Sequence, residues 1–127
     1  MPSRTIMALF LTMPLSVLAA DSYSPQFSRC LDKANGVTAA MIACIASETK
    51  VQDARLNSNY NALMASLNES RKKELLEAQR AWLKFRDLNC KFYYDPDGGS
   101  IATVSANHCF LNTTEQRASE LKELSQP

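Results

Sequence analysis

The stretch EAQRAWLKFRDLNC, from Glu77 to Cys90, decides how this chain folds. At about 100° per residue on a helix, Trp82, Arg86 and Cys90 lie on one face. That face has the apolar character of a buried surface, yet an arginine lies at its centre. Because a buried guanidinium is costly without a carboxylate beside it, the sequence predicts that a neighbouring segment supplies an acidic partner for Arg86.

Helical patterns cover the first two thirds of the chain after residue 20, and the sequence has no strand-like alternation of any length. A short helical turn is expected over residues 27–34, followed by a stop at Gly36. A long helix is predicted from a cap at Thr38 to about residue 67. A second long helix is predicted from a cap at Asn68 or Ser70 to about residue 92.

The remaining sequence predicts a loop and a last helix. DPDGGS, residues 95–100, has the composition of a turn, and a loop is expected over residues 93–108. TTEQ, residues 113–116, has the spacing of a capping box, so the last helix is expected from there to about residue 124. The predicted fold class is all-α: a long antiparallel helical hairpin, a C-terminal helix and a short N-terminal helical turn.

The turn at residues 68–70 is short enough to make the two long helices antiparallel. Because both helices rise equally per residue, facing residues have numbers that sum to about 137. Arg86 then faces residues 48–52 of the first helix. Glu48 is the expected carboxylate partner, with Asp53 as the second choice, and the three form a predicted structural ion-pair cluster.

The N-terminus is typical of a secretory signal peptide. MPSR is a short basic segment, TIMALFLTMPLSVL is apolar, and VLAAD brings small residues before Asp21. A signal peptide is therefore predicted over residues 1–20, cleaved after Ala19 or Ala20. The remaining residues, 21–127, form one predicted domain in the periplasm or outside the cell. The apolar run is shorter than the ~20 residues that span a bilayer, so no membrane attachment is expected after cleavage.

The net charge of the mature chain gives no reason to expect electrostatic binding to nucleic acid. Removal of Arg4 with the signal lowers the basic residues from 14 to 13, which equals the 13 acidic residues. A chain without net charge has little attraction for nucleic acid or for an anionic membrane surface.

All four cysteines lie in the predicted mature part. An even number in an exported chain favours two disulfides among Cys30, Cys44, Cys90 and Cys109. The alternative is a metal site that uses these thiols with His108. The sequence lacks a CxxC or CxxH pair, and an oxidising compartment disfavours free thiolates. No metal and no cofactor is therefore expected.

Two motifs carry a family resemblance. The first contains Cys30, Met41, Cys44, Glu48, Asp53, Leu56, Asn57, Tyr60 and Leu63, and the second is AQRAWLKFRDLNC, residues 78–90. Together they resemble the LprI N-terminal-domain family, small exported bacterial helical proteins named after a lysozyme inhibitor. The likeness runs from about Phe27 to Leu121. It implies that the cysteines pair in order, Cys30 with Cys44 and Cys90 with Cys109, and it implies lysozyme inhibition through the family name.

Three functional hypotheses follow. The first is a non-enzymatic periplasmic binding protein whose partner is lysozyme or another envelope protein. Its candidate binding residues lie in the predicted loop: Tyr94, Asp95, Asp97, Gly98, Gly99, Ser100 and His108. The second is an envelope structural or stress protein with an unidentified partner. The third is a hydrolase that uses Glu48 and Asp53, which would need both carboxylates in an open cleft.

Overall fold

The computed structural model describes residues 22–126, and the predicted signal peptide lies outside them. These residues form four helices: α1 (Pro25–Ala34), α2 (Thr38–Ser66), α3 (Glu69–Phe92) and α4 (Gly99–Leu124). The all-α prediction is therefore confirmed. In this part of the chain, no helix is both long and apolar enough to cross a membrane.

The helix ends follow local chemistry. Pro25 opens α1, where its missing N–H costs nothing, and Asn35 and Gly36 end the helix with φ of 47° and 75°. The Asn68 side chain caps α3 by accepting a hydrogen bond from the backbone N–H of Arg71 at 3.0 Å, as predicted. The predicted Thr38 cap is wrong: Val37 is the N-cap of α2, and Thr38 is already helical.

The predicted loop over residues 93–108 is also wrong. The link between α3 and α4 is only residues 93–98, and α4 is a single helix from Gly99. The expected capping box at 113–116 lies inside α4, where the Thr114 hydroxyl donates to the carbonyl oxygen of Phe110 at 2.8 Å. Local signals of turn and cap were overridden because packing of buried Ala102 and Leu111 stabilises the continuous helix.

α4 is the central element of the fold. It runs parallel to α2, since Leu111 packs with Ile45 and Leu121 belongs to the cluster that contains Leu63. It runs antiparallel to α3, because Arg117 contacts Gln79 and Cys109 is joined to Cys90. α2 and α3 are antiparallel, as predicted, but the backbone of α2 approaches α4 far more extensively than it approaches α3.

Two apolar clusters fill the interior. The first joins α1, α2 and α4 through Phe27, Ala34, Cys44, Ile45 and Leu111. The second contains buried Leu56, Leu63, Ala118 and Leu121, and Trp82 of α3 packs against its edge. Among the described residues, every buried side-chain nitrogen or oxygen has a hydrogen-bond partner. The polar residues of the core are therefore satisfied, as a stable interior requires.

Two disulfides fasten neighbouring helices. Cys30 bonds to Cys44 and ties α1 to α2, with 5.7 Å between their Cα atoms. Cys90 bonds to Cys109 and ties the end of α3 to α4, with a Cα–Cα distance of 5.4 Å. The pairing implied by the family resemblance is confirmed. A metal site built on these thiols is contradicted, because all four sulfurs are used in disulfides.

Candidate functional site

Arg86 is buried, as predicted, but its carboxylate partner is the second choice. Its Nη1 lies 3.8 Å from Oδ1 of Asp53 and 3.3 Å from the Thr114 hydroxyl, and its Nε donates to Asp87 at 3.1 Å. The guanidinium also lies between two rings, 5.0 Å from the centroid of Trp82 and 3.8 Å from that of Phe110. Arg86 therefore holds α2, α3 and α4 together through charge and ring contacts.

Glu48 has a different role from the one predicted. Its carboxylate accepts hydrogen bonds from the backbone N–H of Ser24 at 2.9 Å, from the Ser24 hydroxyl at 2.5 Å and from the Gln52 amide at 2.7 Å. It thus fixes the segment before α1 to the middle of α2. The expected ion pair with Arg86 is wrong because Glu48 points toward α1, on the other side of α2 from α3.

A second buried arginine was missed by the sequence analysis. Arg117 of α4 donates from Nε to the side-chain oxygen of Gln79 at 3.0 Å and from Nη1 to Glu120 at 2.6 Å. Its guanidinium carbon lies 6.0 Å from the Trp82 ring centroid. The sequence analysis did not single it out because the last helix was predicted to begin only at residues 113–116 and no packing partner was assigned to it.

These buried polar groups do not form a catalytic arrangement. Glu48 is engaged with Ser24 and Gln52, while Asp53 is bound to Arg86 at the edge of another interface. Among the described residues, no group of three or more potential metal-ligating side chains comes together. The contacts of Glu48, Asp53 and Arg86 are therefore accounted for by helix packing.

One exposed surface is the tip, residues 93–101, which comprises the α3–α4 link and the first residues of α4. Tyr93, Tyr94 and Ile101 are 51%, 55% and 64% exposed. Asp95 and Asp97 add two exposed carboxylates between the tyrosines and Ile101. Large exposed apolar groups in a rim of polar residues are typical of protein interaction sites.

The tip is held in one conformation by its own hydrogen bonds. The backbone N–H of Tyr94 donates to the Lys91 carbonyl at 3.0 Å, and that of Gly98 donates to the Asp95 carbonyl at 3.0 Å. The Asp95 side chain also accepts from the backbone N–H of Asp97 at 2.9 Å. A Cβ on Gly98 would lie only 2.9 Å from that of Ala102, so this close turn requires glycine.

The predicted binding residues therefore divide into two groups. Tyr94, Asp95, Asp97 and Gly98 lie in the link, and Gly99 and Ser100 form the exposed first residues of α4. His108 is separate, about two and a half helical turns farther along α4. It lines a groove of about 520 Å³ between α3 and α4, together with Phe85 and Tyr93.

Comparison with known proteins identifies the family of the chain. The sequence model of the lysozyme inhibitor LprI family matches residues 30–121, well over half of the chain. The chain belongs to this family. The match includes both disulfides, both buried arginines and the tip, and the resemblance drawn from the sequence motifs is thereby confirmed.

A curated relative of this LprI-family chain is an uncharacterized protein of Rhizobium meliloti (strain 1021). It is 30% identical over 95 residues, which cover 64% of this chain and 68% of the relative. No solved structure gives a significant match to the LprI-family chain.

Proposed function

We propose that the protein is an exported binding protein that inhibits lysozyme, with the tip as the contact surface. Two observations support the partner and the compartment. The chain belongs to a family described as lysozyme inhibitor, and its first 20 residues have the pattern of a secretory signal. The observation that carries the choice of surface is the exposed, internally hydrogen-bonded tip.

The shape of the tip suits the cleft of an enzyme. It lies where the antiparallel helices α3 and α4 are linked, and the Cys90–Cys109 disulfide fixes the two helices, three residues before the tip in α3 and about 12 Å along α4 from Ile101. A convex element that is already ordered loses little conformational freedom on binding, so more of the contact energy is kept as affinity. The helix surfaces instead present long side chains such as Lys72, Lys73 and Glu77, which cost entropy to immobilise.

The chemistry of the tip suits a basic partner with apolar subsites. Tyr93 and Tyr94 offer rings with hydroxyl groups, a combination enriched among residues that dominate binding energy. Asp95 and Asp97 bring negative charge to the same surface, and lysozymes of the animal type are basic. The mature chain has no net charge, so this complementarity acts at contact and long-range steering is small.

The hydrolase hypothesis has less support. A pair of carboxylates that perform acid–base chemistry must reach the same substrate bond. Glu48 is 3% exposed and accepts three hydrogen bonds, while Asp53 pairs with Arg86. Three hydrogen bonds account for Glu48 as a structural group, and the ion pair with Arg86 accounts for Asp53.

A cell-wall lysis assay tests the proposal. Mature protein should slow lysis by animal-type lysozyme in proportion to its concentration. The variant Tyr94→Ala/Asp97→Ala should lower the inhibition at least about tenfold, as expected when a binding centre is truncated. Asp95 is left unchanged because it holds the turn through the Asp97 and Gly98 N–H groups.

The matched control is Leu124→Ala. Leu124 is 58% exposed, similar to Tyr94, but lies at the opposite end of α4. This variant should inhibit as well as the unchanged protein, and all variants should keep the melting temperature. Full inhibition by Tyr94→Ala/Asp97→Ala would place the contact surface elsewhere. Failure of the unchanged protein to inhibit both animal and bacteriophage lysozymes would reject lysozyme as the partner.

A further inference from the structure

The outer side of α3 carries a row of exposed apolar residues. Phe85, Leu88 and Phe92 are 57%, 60% and 87% exposed. Ala78 and Ala81 continue the row toward the start of the helix and are exposed as well. We call these five positions the α3 stripe. An ordered apolar row of this length on the surface of a small protein needs an explanation.

The spacing of the α3 stripe is that of a helix–helix seam. Successive members are three, four, three and four residues apart, which is the a/d pattern of a coiled coil. The stripe lies about 120° around α3 from the face of Arg86 and Cys90, at about 100° per residue. It is therefore a second apolar face of α3, and only Phe85 at its edge also lines the groove between α3 and α4.

We propose that the α3 stripe pairs with the α3 stripe of a second copy of this chain, forming an antiparallel homodimer. The large residues lie in the C-terminal half of the stripe and the two alanines in the N-terminal half. When two copies run in opposite directions, Phe85 packs against Ala81 of the other copy, and Leu88 packs against Ala78 of the other copy. Alternation of large and small side chains across the seam fills space without voids.

Charges beside the stripe complement each other in the same register. Glu77, Lys84 and Lys91 flank the stripe on one side at intervals of seven residues. In antiparallel pairs, such flanking positions meet their equivalents on the other helix. With Phe85 opposite Ala81, Glu77 of each copy lies beside Lys91 of the other, which makes two ion pairs per dimer.

Other arrangements of two copies lack these ion pairs. In a parallel pair, Glu77 would face Trp82 of the other copy, and Lys84 would face Asn89. In the antiparallel register shifted by one heptad toward the C-terminus, Lys84 would lie beside Lys91. The opposite shift would place Glu77 beside Lys84, but Phe85 and Leu88 would then face Glu74 and Arg71 of the other copy. The proposed register is the one that combines ion pairs with the match of large residues to small ones. This register has two unfavourable contacts: Lys84 meets Lys84 of the other copy at the twofold axis, and Phe92 lies opposite Glu74 of the other copy.

Sedimentation of the mature, disulfide-intact protein over a range of concentrations tests the pairing. A monomer–dimer equilibrium is expected. Leu88→Lys should weaken it by at least about tenfold, since it adds a charge at the centre of the apolar seam. The control Val51→Lys changes an apolar residue that is 48% exposed on α2, and it should leave the equilibrium unchanged. Circular dichroism should show that both variants remain folded.

Charge exchange tests the register. Glu77→Lys and Lys91→Glu should each weaken the dimer, because each places like charges together, and the double variant Glu77→Lys/Lys91→Glu should restore it. Lys84→Gln should strengthen the dimer by removing the repulsion at the twofold axis. A monomer at every concentration, a different stoichiometry, or a double variant that dissociates more than either single one would overturn the proposal. None of these measurements involves lysozyme.

Discussion

At the scale of single residues, the core is organised by buried polar side chains that each have a dedicated partner. Glu48 binds Ser24 and Gln52, whereas Arg86 binds Thr114, Asp53 and two aromatic rings. A side chain that is buried with all its hydrogen bonds made adds specificity, because any other packing would leave it unpaired. Glu48 thus fixes the segment before α1 to α2, and Arg86 fixes α3 to α2 and α4.

Glu48→Gln should destabilise the fold by about 1–2 kcal/mol. The amide can place its oxygen toward the Ser24 N–H and the Gln52 amide and its NH₂ toward the Ser24 hydroxyl, which can turn to accept, but the buried charge-assisted hydrogen bonds become weaker neutral ones. The matched control is Asp53→Asn, which makes the same chemical change at a side chain that is 48% exposed; it should cost less than about 1 kcal/mol. Urea denaturation with intact disulfides measures both, and equal effects would contradict this assignment.

Arg86→Met should cost about 1–3 kcal/mol, since it removes the charge-assisted hydrogen bonds and the ring contacts but keeps much of the apolar stem. The loss is limited because Asp53 and Asp87 are about half exposed and can be hydrated when the cation is removed. Arg86→Lys keeps the charge without the planar stacking, so its stability should lie between that of Arg86→Met and that of the unchanged protein. Denaturation midpoints give the order, and a neutral Arg86→Met would contradict a supporting role for this side chain.

At the scale of elements, α4 depends on contacts made along its whole length. Its first turns carry β-branched Ile101, Thr103 and Val104, which favour helix weakly. They are held by burial of Ala102 and by the disulfide from Cys109 to α3. The N-terminal part of α4 is therefore a helix because of its surroundings.

Removal of the second disulfide should loosen this end of α4. In Cys90→Ala/Cys109→Ala, amide exchange should become faster over residues 99–108 and the tip. The stability loss should be about 3 kcal/mol in the chain-entropy model of loop closure. The control Cys30→Ala/Cys44→Ala should instead speed exchange in α1. If amide exchange became faster throughout the chain in both variants, α1 and the N-terminal end of α4 would not unfold independently.

At the scale of the whole molecule, the tip adjoins the C-terminal end of the α3 stripe, since Leu88 and Phe92 line one surface depression with Tyr94 and Asp95. In the antiparallel dimer, the two C-terminal ends of α3 lie about 27 Å apart, at about 1.5 Å per residue on either side of the twofold axis. The tips then point away from each other. A lysozyme molecule on one tip leaves the other tip accessible.

The complex should therefore contain one lysozyme per copy of the protein, and two of each when the dimer forms. Light scattering of the complex gives its mass directly. Ala81→Lys, which changes an exposed stripe residue about three turns of α3 before the tip, should form a one-to-one complex with unchanged inhibition, because each tip acts alone. A loss of inhibition in that variant would mean that the enzyme contacts both copies.

The sequence by itself determined the all-α class, the extent of α2 and α3, and the burial of Arg86, and it left the cap of α3 open between Asn68 and Ser70. It could do so because helical periodicity reports which face is buried, whichever element covers it. The a/d spacing of the α3 stripe is also present in the sequence, on a different side of α3 from Trp82, Arg86 and Cys90. Only the tertiary structure decided that Asp53, not Glu48, reaches Arg86, because the two carboxylates lie on different sides of α2. It also decided that residues 99–112 are helical, since the stabilising contacts of Leu111 come from distant α1 and α2.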